Sequence, residues 1–280
     1  MPSDRWLSGD VQANGVRLHW TRTGGDLPRV ALVHGLTDDG LCWTSVAKEL
    51  EGDYDLLMVD ARGHGRSEAP PAGYDPMTMA HDLLSACDAL DFREPVLVGH
   101  SMGAVNSLVA AALRPDGVRA IFLEDPPGLW AMTRPGAAQH AAEMRARIEG
   151  TAARSPEGMA AECRASYPRW SDEEIERWVD GQRRVRPETS QYIAGEGLAG
   201  FPWPDLLAAV KCPVRLALAD PAMDSALADD ALAALRRYVP RAEAKRFPGS
   251  GHSVHRDEFV PYMEYLREFL GASARSPVQG

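Results

Sequence analysis

The chain has 280 residues, 45% of them hydrophobic and 25% charged, with 40 acidic against 30 basic side chains and a net charge of −10. Such a length holds one large domain, or a core with an insertion, and buries ample apolar surface without disulfide staples. The acidic balance argues against wholesale nucleic-acid binding, and no apolar run is long enough to span a bilayer.

Taken in order, Val16–Arg22 alternates as a strand after the Asn14-Gly15 turn. Val30–Val33 and Tyr54–Val59 are short continuous apolar runs, the pattern of strands covered on both faces. A helix is expected over Trp43–Leu50 and another over Met77–Leu90, where Met79, Leu83, Leu84, Cys87 and Leu90 share a face. A third buried strand begins at Val96. The helix-like stretch Ala104–Leu113 follows it, stopped by Arg114-Pro115-Asp116-Gly117, and Val118–Leu123 is the next strand. From about 129 to 205 no strand-like run occurs. Helices are expected at Ala137–Glu149, at Pro156–Ser166 and from a capping box at Ser171-Asp172-Glu173-Glu174, and aromatic residues are frequent. The strand–helix alternation resumes with Pro213–Leu218, a helix over Ala226–Tyr238, a strand over Ala242–Phe247 and a last helix over Arg256–Leu270. Residues 273–280 are expected to be a disordered tail. This order predicts an α/β fold with a mostly parallel sheet wrapped by helices, its core formed by 1–128 and 206–272, and a helical cap over 129–205.

Two further expectations come from composition. Cys42, Cys87, Cys163 and Cys212 have no metal-type spacing and are expected to be reduced and packed. Met1–Trp6 lacks a basic segment followed by an apolar one, so no secretory leader is expected and a cytoplasmic location is.

The chemistry centres on Gly99-His100-Ser101-Met102-Gly103, set between a predicted strand and a predicted helix. That context is a nucleophile elbow: a tight strained turn lifts a serine hydroxyl off the sheet at a helix N-terminus, and side chains at 99 or 103 would clash with the neighbouring strand or helix. A serine hydroxyl needs a base, and the base needs an orienting acid. His252 follows a predicted strand and a Gly-Ser-Gly turn and is the expected base. His255 is its near competitor, and His34, His64 and His100 have local structural readings.

His34-Gly35-Leu36, Asp60-Ala61-Arg62-Gly63-His64-Gly65-Arg66-Ser67, Gly99-His100-Ser101-Met102-Gly103 and Gly251-His252 occur in this order between about residues 16 and 270. On these motifs the chain resembles the α/β-hydrolase superfamily, in its small cap-bearing serine hydrolase branch. The resemblance implies an eight-stranded sheet and an oxyanion hole built from the backbone N–H groups of Leu36 and Met102. It implies a structural role for the Asp60–Ser67 loop. The family's commonest acid position, after the strand Pro213–Leu218, falls on Ala222, with Asp220 and Asp224 off register. The family's other position, before the cap, holds Asp125, 24 places after Ser101. That spacing is similar to haloalkane dehalogenases, zearalenone-type lactone hydrolases and cofactor-free quinolone dioxygenases. Asp125 is therefore the preferred acid, with Asp220 the alternative and Glu124 behind it.

The expected activity is hydrolysis of a carboxylic ester or lactone of a small, hydrophobic or aromatic substrate through an acyl-enzyme on Ser101, with no cofactor and no metal. Haloalkane dehalogenases and epoxide hydrolases use an aspartate nucleophile, where this chain has Ser101. Alternatives are carbon–carbon bond hydrolysis, acyl transfer or amide hydrolysis with the same triad, a cofactor-independent dioxygenase using His252 and Asp125, and a non-enzymatic ligand receptor. Trp130 is the first candidate for a pocket wall, followed by Met132 and Trp203. The expected partner is a small-molecule substrate, without nucleic acid or membrane, and a homodimer is left open.

Overall fold

The computed structural model describes residues 6–131, 136–194, 201–223 and 225–273. Its strands are β1 (Leu7–Ala13), β2 (Val16–Arg22), β3 (Arg29–Val33), β4 (Asp55–Val59), β5 (Val96–His100), β6 (Ala120–Glu124), β7 (Val214–Leu218) and β8 (Glu243–Arg246). They form one sheet in the order β1-β2-β4-β3-β5-β6-β7-β8. β1 pairs antiparallel with β2, and β2 antiparallel with β4; all other pairings are parallel. This is the expected eight-stranded, mostly parallel architecture. β1 is not evident from local pattern because it is largely exposed and lacks a clean apolar alternation.

The helices are α1 (Thr44–Leu50), α2 (Pro76–Ala89), α3 (Met102–Leu113), α4 (Ala137–Thr151), α5 (Pro156–Ser166), α6 (Asp172–Arg184), α7 (Gln191–Ala194), α8 (Trp203–Ala209), α9 (Asp229–Tyr238), α10 (Val254–Asp257) and α11 (Phe259–Ser273). Between β6 and β7 the described residues contribute helices and no strand. The expected boundary at 205/206 falls inside α8, which packs on α3. The single helix expected over Arg256–Leu270 is instead split into α10 and α11, with Glu258 in a non-helical turn between them. Ser273, expected to open the tail, closes α11 and is buried; 274–280 lie outside the described residues.

Strand side chains alternate between two apolar layers, as period-two geometry requires. Ala31, Val33, Leu57, Val59, Leu97, Ile121, Leu123, Leu216 and Leu218 pack with residues of α2, α3, α8 and α9. Val30, Leu32, Leu56, Met58, Val96, Val98, Ala120, Phe122 and Ala217 pack with α1 and α11. The continuous apolar runs of the sequence are thus strands covered on both faces. All four cysteines are free, three of them buried and Cys212 half-buried. Among the described residues no helix is long and apolar enough to cross a membrane.

Candidate active site

Ser101 joins β5 to α3 with φ +52° and ψ −115°, a left-handed region that a non-glycine residue rarely occupies. The flanking glycines permit it. A Cβ at Gly99 would lie 2.4 Å from the Gly103 carbonyl oxygen, and a Cβ at Gly103 would lie 2.1 Å from that of Val33. The strand and the helix therefore approach too closely for any side chain at either position.

Around this turn the structure brings the predicted residues together. The Ser101 Oγ is 2.8 Å from His252 Nε2, and His252 Nδ1 is 2.7 Å from Asp125 Oδ2. His252 comes from the loop between β8 and α10, and Asp125 from the residue that follows β6. Asp125 is fully buried, with φ +38°. Three further donors reach its carboxylate: the Ala219 N–H at 3.2 Å, the Ser225 hydroxyl at 2.8 Å and the Ala226 N–H at 2.7 Å. Burial pushes its pKa up, but the hydrogen bond and charge of His252, the Ala226 N–H and the Ser225 hydroxyl outweigh it and hold the group below its ordinary value. An ionised Asp125 can only accept, so His252 carries its proton on Nδ1 and turns the lone pair of Nε2 toward the serine, which donates to it.

Those three donors lie at the end of β7 and in the connection from β7 to α9, where the sequence offers Asp220 as an alternative acid. Asp220 instead accepts from the backbone N–H groups of Ala222, at 2.9 Å, and Gly249, at 2.8 Å, and so braces the two loops against each other. Asp224 lies outside the described residues. The competing base and acid of the sequence are joined to one another: His255 Nδ1 is 2.8 Å from Glu124 Oε1, and both side chains are fully buried. Burial opposes ionisation of Glu124, but the charges of His255 and His100 and the hydrogen bonds from His255 lower its pKa to about 2. His100 donates from Nε2 to the His252 carbonyl at 3.0 Å, and burial pushes its pKa down to about 3.

The loop that carries Leu36 runs directly beside the nucleophile. A Cβ on Gly35 would stand 2.7 Å from His100 Nδ1 and 3.3 Å from the Ser101 Cβ. Leu36 is thus next to the elbow, and Met102 opens α3 immediately after Ser101. The Asp60–Ser67 loop is internally bonded: the Asp60 carboxylate accepts from the Gly40 and Arg66 N–H groups, and the Ser67 hydroxyl donates to the Asp60 carbonyl. A Cβ on Gly65 would fall 2.1 Å from Asp60 Oδ2, so this loop depends on its glycine.

Trp130 donates its indole N–H to the Ala231 carbonyl at 2.8 Å, which fixes the ring, and meets Trp203 edge-on with centroids 6.2 Å apart. Phe201 packs against Trp203 at 4.5 Å. These rings belong to the same apolar layer as Met102, Leu129 and Leu36. Met132 lies outside the described residues. Sequence reasoning did not single out Ser225 or Gln182. Ser225 gives no signal beyond its place in the β7–α9 connection; Gln182 gives none.

A model of the Alpha/beta hydrolase family matches residues 30–261. The chain belongs to that family. Among curated proteins the chain is 32% identical over 168 residues to an N-formylmaleamate deformylase of Pseudomonas putida, covering 60% of this chain and 61% of the relative. It is 37% identical over 116 residues to an epoxide hydrolase of Caballeronia sordidicola, covering 40% and 35%. In both cases the match spans less than two thirds of the relative's length. Among solved structures, an E-2-(acetamidomethylene)succinate hydrolase superposes with a TM-score of 0.78 at 22% identity, covering 95% of this chain and 99% of the other, which shows a shared fold.

Proposed function

We propose that this alpha/beta hydrolase is a serine hydrolase that cleaves a carboxylic ester or lactone of a small, hydrophobic or ring-bearing substrate through an acyl-enzyme on Ser101. The observation that carries this reading is the continuous hydrogen-bonded line from the Ser101 Oγ through His252 to Asp125. His252 Nε2 takes the serine proton as Oγ attacks the carbonyl carbon, and Asp125 stabilises the imidazolium that forms. The negative charge that develops on the carbonyl oxygen is met by the N–H groups of Met102 and Leu36 and by the N-terminus of α3. His252 then delivers its proton to the leaving alcohol. It next removes a proton from a water molecule that attacks the acyl carbon, and finally returns a proton to Ser101. The steps need only groups of this chain, the substrate and one water molecule. The helices between β6 and β7 act as a cap, and Trp130 and Trp203, with Phe201, offer aromatic walls to the acyl or alkoxy part.

A second reading is hydrolysis of an N-acyl bond. It is favoured by the names of the deformylase relative and of the acetamidomethylene structural neighbour, whose substrates carry amide-type bonds. The chemistry differs only in the leaving group, an amine that His252 must protonate as it departs. Initial rates on a panel of p-nitrophenyl esters, small aryl lactones and matched anilides test both readings. Turnover of the oxygen esters with a preference for short or aromatic acyl groups supports the first, and anilide rates equal to ester rates support the second. Oxygen uptake on hydroxyquinolones without any acyl-bond turnover would overturn both.

A further inference from the structure

The helix α6 and the turn that leads into it grip both of the loops that flank Ser101. On one side, Gln182 Nε2 donates to the Thr37 carbonyl at 3.0 Å and to the Thr37 hydroxyl at 2.8 Å. Thr37 follows Leu36 and is held at φ +72°, a costly conformation for a β-branched residue that persists only when its surroundings over-determine it. Gly181 also lies against this loop: a Cβ there would be in ordinary contact with it, 3.4 Å from the Asp38 Cα. On the other side, the Trp170 indole donates to Asp257 Oδ1 at 2.7 Å, and Asp257 Oδ2 accepts from the N–H of Gly251, the residue before His252, at 2.6 Å. Arg169 reaches the Gly249 carbonyl at 2.5 Å and pairs with Glu258.

Arg256 joins the two sides. Its guanidinium is buried, lies 4.8 Å from the centre of the Trp170 ring, and donates to Asp38 at 3.1 Å and to Glu174 of α6 at 3.1 Å. A buried cation between two buried carboxylates is a demanding arrangement that holds only in good geometry. It therefore links the Leu36 loop, the His252 loop and α6 as one unit.

We propose that Gln182, Trp170 and Arg256 are positioning residues: through them α6 sets the alignment of the Leu36 N–H and of His252 on Ser101. Docking of the helical segment thereby becomes a condition for an aligned base and oxyanion hole, in addition to any role as a wall of the substrate pocket. This inference rests on Ser101 being the attacking group.

The test is inactivation by a small dialkyl fluorophosphate, whose alkyl groups are too short to probe an extended substrate pocket, with the first-order rate at saturation separated from the half-saturating concentration. Gln182→Leu and Trp170→Phe are the main variants. Phenylalanine keeps a ring over Arg256 while removing the donor to Asp257. Arg256→Lys keeps the charge and loses the forked geometry. The expected result is a fall in the saturating rate of about tenfold or more in each variant, the scale of a small misplacement of reacting groups, with the half-saturating concentration nearly unchanged. Circular dichroism identifies any variant that fails to fold, and Trp170→Phe, the mildest change, decides in that event. A saturating rate equal to wild type in folded Trp170→Phe and Gln182→Leu, or an effect confined to the half-saturating concentration, would overturn the inference alone. A wild-type protein that does not react at Ser101 would overturn the reading beneath it as well.

Discussion

Glu124 and Asp125 are chain neighbours at the end of β6, yet their carboxylates hold different histidines: Glu124 holds His255 and Asp125 holds His252. Glu124 is the last residue of β6, whereas Asp125 has left the strand at φ +38°. Glu124 falls on the layer of Phe122 and α11, where it and His255 are fully enclosed. Asp125 falls at the edge where the elbow stands, and the His252 side chain there keeps 34% of its surface exposed. Two acid–histidine pairs lie side by side, and the one with the serine in reach is the one open to a substrate.

The Asp125 pair predicts an asymmetry between two conservative substitutions. Asp125→Asn leaves the shape and removes the charge that fixes the His252 tautomer, so kcat should fall by about a thousandfold or more. Asp220→Asn changes a brace between two loops and should keep kcat within about fivefold of wild type. Steady-state kinetics on one ester decides, and the reverse ranking would move the acid to the β7 loop.

Ser225 donates to the Asp125 carboxylate at 2.8 Å. Ser225→Ala should lower kcat by about tenfold, the rate equivalent of one hydrogen bond to a charged group, with KM nearly unchanged. A change confined to KM would instead place Ser225 in the substrate pocket.

Glu124 predicts an acid limb in stability. Its folded pKa of about 2 lies below the ordinary 4.5, so its contribution is complete above about 4.5 and is lost as pH falls toward 2, where the folded state also takes up the proton. The amount at stake is on the order of 3 kcal/mol. Glu124→Gln should be less stable than wild type at neutral pH and should show a shallower loss between pH 4.5 and 2. Urea unfolding across that range measures both, and parallel curves for the two proteins would contradict it.

Much of this site is legible in the sequence, for reasons that are local. Gly99-His100-Ser101-Met102-Gly103 marks the elbow because only glycine fits where strand and helix nearly touch, and that constraint is visible in the residues themselves. His252 follows from chain order, and Asp125 from its spacing to Ser101. Other features depend on packing between distant segments. Leu7–Ala13 is a strand because β2 offers it an edge, and its own exposed pattern carries little signal. Ser225, Gln182 and Arg256 matter through partners 100, 145 and 218 positions away in the chain, so no local pattern announces them. The split of the last helix at Glu258, by contrast, is local: it puts Pro261 in the first turn of α11, where its missing N–H costs no intrahelical bond.

The central claim is that the acyl group passes through Ser101. Wild-type protein quenched in acid during turnover of a p-nitrophenyl ester, then digested and mapped by mass spectrometry, should carry the acyl mass on the peptide that contains Ser101, and Ser101→Ala should show neither the adduct nor turnover above about one ten-thousandth of the wild-type rate. Ester turnover by folded Ser101→Ala at a rate near wild type, or an acyl adduct on another residue during productive turnover, would contradict the account.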